Sequence, residues 1–207
     1  RDRFGQEGGY LYEYEHDPGD APYRFEHRGP QPSASSPKPF KPVTHELDPD
    51  ARPIADMVRA IAQTPDADFL RALSGFIDLD GFVAHVAVEA FLAEIDGVLG
   101  DWGMNNFYLY QYGGQKKFAF IPWDKDTSFQ AAEWPVQYRM DTNEFSKRLM
   151  LDPAMKSFYE SEVKRIATGF VTTAFLAPKI AWFANLTRSS VAAGTHKPFT
   201  LADFEAA

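Results

Sequence analysis

The stretch "DWGMNNFYLYQYGGQKKFAFIPWDKD", residues 101–126, decides the reading of this chain. Its two runs, "NFYLYQY" and "KKFAFIPW", are rich in β-forming aromatic and aliphatic side chains and flank Gly113-Gly114, which predicts two antiparallel strands joined by a turn. In such a ribbon the start of the first strand and the end of the second are neighbours. Asn106 and Asp124 are therefore expected side by side. Asp101 stands five residues ahead of Asn106 in a loop tightened by Gly103, and Asp126 follows close behind Asp124. Carboxylates gathered at one point repel one another unless a cation sits between them, and hard oxygen ligands of this kind suit magnesium or manganese. Asp and Asn are also the ordinary residues of turns, where they bond local backbone. Spacing alone leaves both readings open.

Upstream, "GGYLYEYEH" (residues 8–16) alternates Tyr10, Tyr12 and Tyr14 with Leu11, Glu13 and Glu15, which predicts a strand. Residues 17–53 are rich in proline around "SASS", so no long helix or central strand is expected there, only an extended surface excursion. Ile54, Met57, Val58 and Ile61 then mark one helical face. "TPDADFLRAL" offers Thr64 as an N-cap with Pro65 at the first helical position. From Leu79 to Ile95 apolar groups lie almost all round, the pattern of a buried helix. His85 and Glu89, one turn apart on it, are expected to share an internal hydrogen bond. Downstream, "NEFSKRLML", "DPAMKSFYESEVKRIATGF" and residues 176–191 read as helices, with Asn143 and Asp152 as caps. The basic residues in "FSKRLM" and "VKRI" are expected on solvated faces.

Hydrophobic residues make up 44% of the chain and aromatics 15%, enough for a substantial core. The formal charge of −8 gives no general attraction for nucleic acid or anionic lipid. No apolar run reaches the roughly 18–20 residues a membrane helix needs. With no cysteine, disulfides and thiolate metal sites are excluded. The layout predicts an α+β fold. It has one or more strands at the N-terminus and a mostly helical body over 54–192, with a small hairpin, 106–123, inserted after its most buried helix. The whole is expected to form a single domain, 1–207.

"NNFYLY" followed by "KFAFIPWDKDTSF" resembles the hallmark of the CotH kinase family, the spore-coat protein H-like proteins. "GGYLYEYE" resembles the family's strand ahead of its helical part, and "FSKRLMLDPAMKSFYESEVKRI" the helices that follow. The resemblance runs through most of residues 8–170. It implies a protein-kinase-like fold that transfers phosphate from ATP, with Mg2+ or Mn2+, to serine or threonine hydroxyls of a coat or surface protein. On this resemblance the Asp-x-x-x-x-Asn step of "DWGMNN" corresponds to a kinase catalytic loop. Asp101 would orient the acceptor hydroxyl, Asn106 and Asp124 would bind metal, and Asp126 would be an auxiliary ligand. Pro122 and Trp123 would be turn and core residues that fix Asp124.

A kinase also needs a phosphate-covering loop and a lysine from a small lobe. Neither is found ahead of Tyr10, so the resemblance implies the C-terminal lobe of a longer domain, inactive on its own. Two other readings carry weight. One is a non-catalytic scaffold module of a spore coat or cell surface, with 17–53 making contacts. The other is a metal-dependent hydrolase, since carboxylate clusters bind metals there as well.

Overall fold

The computed structural model describes residues 8–15 and 23–206. The chain divides into two compact units, Arg1–Val163 and Lys164–Ala207.

The first unit is built on a four-stranded antiparallel sheet with strand order β2-β1-β3-β4. Its strands are β1 (Tyr10–Tyr14), β2 (Phe40–Pro42), β3 (Phe107–Gln111) and β4 (Phe118–Pro122). The hairpin is thus part of a larger sheet, because β1 pairs along β3 from Tyr10↔Gln111 to Glu13↔Tyr108. The turn spans residues 112–117. Tyr112 N donates to Lys117 O at 3.0 Å, and Gly114 takes the φ of +69° that favours glycine.

Strand alternation delivers Phe107, Leu109 and Gln111 to the buried face. There Phe107 stacks on Tyr14 at 5.0 Å and on Phe120 at 5.2 Å. The proline-rich stretch feeds this core as well as the surface. Tyr23, Phe25 and Phe40 are buried within ring contact of one another, and each buried Phe contributes about 1.5–3 kcal/mol. Among its described residues the only strand, β2, is short and lies at the sheet edge, where proline costs no ladder bond. The expected excursion also includes residues 17–22, which lie outside the described residues.

Helix α1 (Arg52–Gln63) buries Ile54, Met57, Val58 and Ile61 on the face read from the sequence. Thr64 is the residue that ends α1, not an N-cap. Pro65 opens a 3-10 turn, and the helix after it, α2 (Phe69–Leu73), is a single short piece. Helix α3 (Leu79–Phe91) starts at Asp78, whose carboxylate accepts from Gly81 N. It ends earlier than the apolar pattern suggests, and it is not buried all round, since Val88 is 41% exposed.

The stop is a Schellman motif: Ala93 N donates to Ala90 O, Glu94 N donates to Glu89 O, and Ala93 takes a φ of +48°. Asn143 and Asp152 cap α4 (Glu144–Leu149) and α5 (Pro153–Gly169) as expected.

In the second unit, α6 (Thr173–Ala193) is capped by Thr172 and buries none of its residues. Arg188 on α6 pairs with Glu205 on α7 (Leu201–Ala206) at 2.5 Å. Among the described residues no single helix is long and apolar enough to cross a membrane.

Candidate functional site

The end of the hairpin is assembled as the strand pairing requires. Phe107 pairs with Pro122, and Trp123 N donates to Asn106 O at 3.0 Å. Asn106 and Asp124 both adopt the left-handed region, with φ of +54° and +43°. Asn and Asp tolerate this conformation better than most residues. Pro122, expected in a turn, is the last residue of β4, and Trp123 does not form core. Trp123 is 57% exposed, with its ring edge-on to Tyr108 at 5.6 Å.

Three side chains fix Asn106 and its surroundings. Its amide nitrogen donates to Asp96 Oδ2 at 3.0 Å, while Asn105 donates to Asp96 Oδ1 at 2.9 Å. A carboxylate only accepts, so the amide must present its nitrogen to Asp96 and its Oδ1 to the opposite side. Lys125 Nζ donates to Asn106 O at 3.1 Å and lies 2.6 Å from Glu89 Oε1.

Glu89 also meets His85 Nε2 at 2.8 Å, the internal bond expected from the sequence, and accepts from Val98 N at 2.9 Å. Burial alone would raise its pKa. The His85 ring and the Lys125 ammonium outweigh that effect and hold the carboxyl below its ordinary value. The backbone comes so close here that a Cβ on Gly97 would stand 2.5 Å from the Glu89 carboxylate.

A second buried acid, Glu94, closes the loop after β4. It accepts from Thr127 and Ser128 hydroxyls and from Asp96 N. The loop 95–105 is pinned by Asp101 N to Ile95 O at 2.8 Å and Asn105 N to Gly97 O at 3.1 Å, with Gly103 at a φ of +101°. Asp101 faces Arg139, whose Nη1 lies 3.2 Å from Oδ1 and whose Nη2 donates to the Asp101 carbonyl at 3.4 Å.

Asp101 and Asn106 are therefore held on one loop, and Asp124 is held next to Asn106. Asp126 is exposed on the same turn, two positions along, and neither it nor Asp124 has a hydrogen-bonded partner among the described residues. Asp96, Glu89, Lys125 and Arg139 were not assigned to the site from sequence. Glu89 was legible only as a partner for His85.

Among the described residues no three Asp, Glu or His side chains gather into a cage. Asn106 Oδ1 is turned away from its anchor, and the exposed Asp124 carboxylate beside it accepts no hydrogen bond from the described residues. That set suits magnesium or manganese held by a few protein oxygens together with substrate phosphates. The chemistry such an ion would supply is neutralisation of phosphate charge.

A family model described as CotH kinase protein matches residues 1–203. Among curated proteins, the inner spore coat protein H of Bacillus subtilis (strain 168) is 23% identical over 135 residues. The match covers 61% of this chain and 35% of that protein, so the matched stretch spans about a third of the relative's length.

Proposed function

This chain belongs to the CotH kinase protein family, and on that premise we propose that it is the large, protein-kinase-like lobe of a phosphotransferase. The reaction moves the terminal phosphoryl group of ATP to a serine or threonine hydroxyl of a protein. One observation carries the reading. Asp101 and Asn106, five apart on one pinned loop, are each anchored through one polar atom and keep another for a ligand.

In this reading Asp101 orients the acceptor hydroxyl and receives its proton as the bond to phosphorus forms. Asn106 and Asp124, with Asp126 as an auxiliary, would hold Mg2+ or Mn2+, which supplies neutralisation of the phosphate oxygens. Lys125, Asp96 and Glu89 keep the hairpin end rigid, so the protein contributes chiefly position and charge, which is most of what phosphoryl transfer asks of it. The relative's name supports the spore coat as location, and in this reading the acceptor is a coat or surface protein.

A second reading is a non-catalytic coat or surface module. Three cavities of the first unit, of about 380, 260 and 480 Å3, are lined by residues other than Asp101, Asn106 and Asp124 and offer such a module places for contact. The experiment that separates the two uses the full-length protein with γ-labelled ATP and candidate coat proteins. Label incorporation with Mg2+ or Mn2+ that is abolished by EDTA supports the phosphotransferase. A folded full-length protein that incorporates none supports the scaffold.

A further inference from the structure

We propose that Arg139 is a positioning residue that fixes the Asp101 carboxylate for the acceptor hydroxyl, an inference that rests on the reading of Asp101 given above. The guanidinium reaches two acceptors of the same residue, Oδ1 at 3.2 Å and the main-chain carbonyl at 3.4 Å. It thereby ties the side chain and the backbone of Asp101 together. Oδ1 is sealed from solvent, whereas the Asp101 side chain as a whole is 28% exposed. No hydrogen bond from the described residues reaches Oδ2. Oδ1 is therefore held by charge pairing with Arg139 rather than by a hydrogen bond, and Oδ2 is left to meet a ligand.

Arg139 is itself planted on a fixed loop. Its φ is +60°, and its carbonyl accepts from Thr142 Oγ1 at 2.7 Å and from Thr142 N at 3.1 Å. The next carbonyl, Met140 O, accepts from the buried Ser146 hydroxyl of α4 at 2.8 Å. Ahead of it, Tyr138 stacks on Trp134 at 4.2 Å, and the Tyr159 hydroxyl holds Val136 O. The backbone that carries Arg139 is thus set by contacts from α4 and α5, and its side chain reaches from there to Asp101.

An aspartate at a loop position has two free side-chain torsions, and a displacement of about 1 Å in a reacting group costs on the order of 10²-fold in rate. A guanidinium can span a carboxylate and a carbonyl at once, whereas an ammonium is a point donor.

The test uses the full-length protein with Arg139→Gln, Arg139→Lys, Asp101→Asn and the Asp101→Asn/Arg139→Gln double variant. Expected for Arg139→Gln is a fall in kcat of about 10²-fold with the KM for ATP unchanged, and partial recovery in Arg139→Lys. The double variant is expected to be no slower than Asp101→Asn alone. Hydrogen exchange supplies a readout independent of turnover: in Arg139→Gln, residues 99–106 should exchange faster while β1–β4 keep their protection. Wild-type kcat in Arg139→Gln beside an inactive Asp101→Asn overturns the role of Arg139 and leaves the phosphotransferase reading standing. Wild-type turnover in Asp101→Asn overturns that reading instead, and the exchange at 99–106 then decides whether Arg139 holds the loop. Unchanged exchange overturns it.

Discussion

The Lys125 ammonium lies 2.6 Å from Glu89 Oε1, joining helix α3 to the residue between Asp124 and Asp126. Only 6% of the Glu89 side chain and 23% of the Lys125 side chain are exposed. Removing one partner leaves the other charge buried and unpaired, which costs about 3–5 kcal/mol. Glu89→Ala is therefore expected to lower the unfolding free energy by that amount in urea titration. The Glu89→Ala/Lys125→Met double variant should lose less than the sum of the two single changes.

The same carboxylate gives stability a pH dependence of known sign. The folded protein holds Glu89 below its ordinary pKa of 4.5. Its contribution is complete above that ordinary value and is lost as pH falls through the lower folded value. Urea midpoints compared at about pH 6 and about pH 3 should show a smaller drop for Glu89→Gln than for the wild type.

Ala93 closes the Schellman motif at the end of α3 with a φ of +48°. A non-glycine residue in the left-handed region costs about 1–2 kcal/mol. Ala93→Gly is expected to raise the urea midpoint, by up to about 1 kcal/mol in free energy once the glycine's greater unfolded entropy is counted. Gly97 predicts the opposite sign, because its missing Cβ is the space the Glu89 carboxylate occupies. Gly97→Ala should destabilise by about 1–3 kcal/mol, the usual cost of overpacking.

Arg148 is a further case where a surface-looking cation is structural. Its guanidinium donates to Ile61 O at 2.6 Å, to Thr64 O and to Asp66 Oδ1, and lies 4.1 Å over the Phe69 ring. Only 9% of the side chain is exposed, so it ties α4 to the end of α1 and the start of α2. Arg148→Met is expected to cost about 2–3 kcal/mol. The adjacent and exposed Lys147→Ala should change stability by less than about 0.5 kcal/mol, both read from denaturant midpoints.

Arg148 also shows where sequence reading stops. "FSKRLM" gives period and polarity, and both are satisfied by a solvated face; the carbonyls at Ile61 and Thr64 are a tertiary fact with no local signal. The hairpin was legible because strand pairing is a local rule; it places Asn106 beside Asp124, and the Trp123 N to Asn106 O bond closes that end of the ribbon. The addition of β1 to that hairpin was not, since two separated strands carry no mark of their pairing. Trp123 was misread for a related reason. A large aromatic after a strand suggests core, yet the alternation along β4 and the turn at Asp124 leave it outside. At the candidate site, Asp101, Asn106, Asp124 and Asp126 were singled out from type and spacing. Their anchors, Asp96 and Arg139, were not, because each works through a contact made only in the folded chain.

The most direct test of the central claim compares full-length wild type with Asp101→Ala and Asp124→Ala, each first checked for a wild-type circular dichroism spectrum and urea midpoint. Phosphate transfer from ATP to a protein hydroxyl, with Mg2+ or Mn2+ present, is expected to fall in each variant by about 10²–10⁴-fold. Wild-type transfer rates in both variants would contradict the assignment of this hairpin end as the site of phosphoryl transfer.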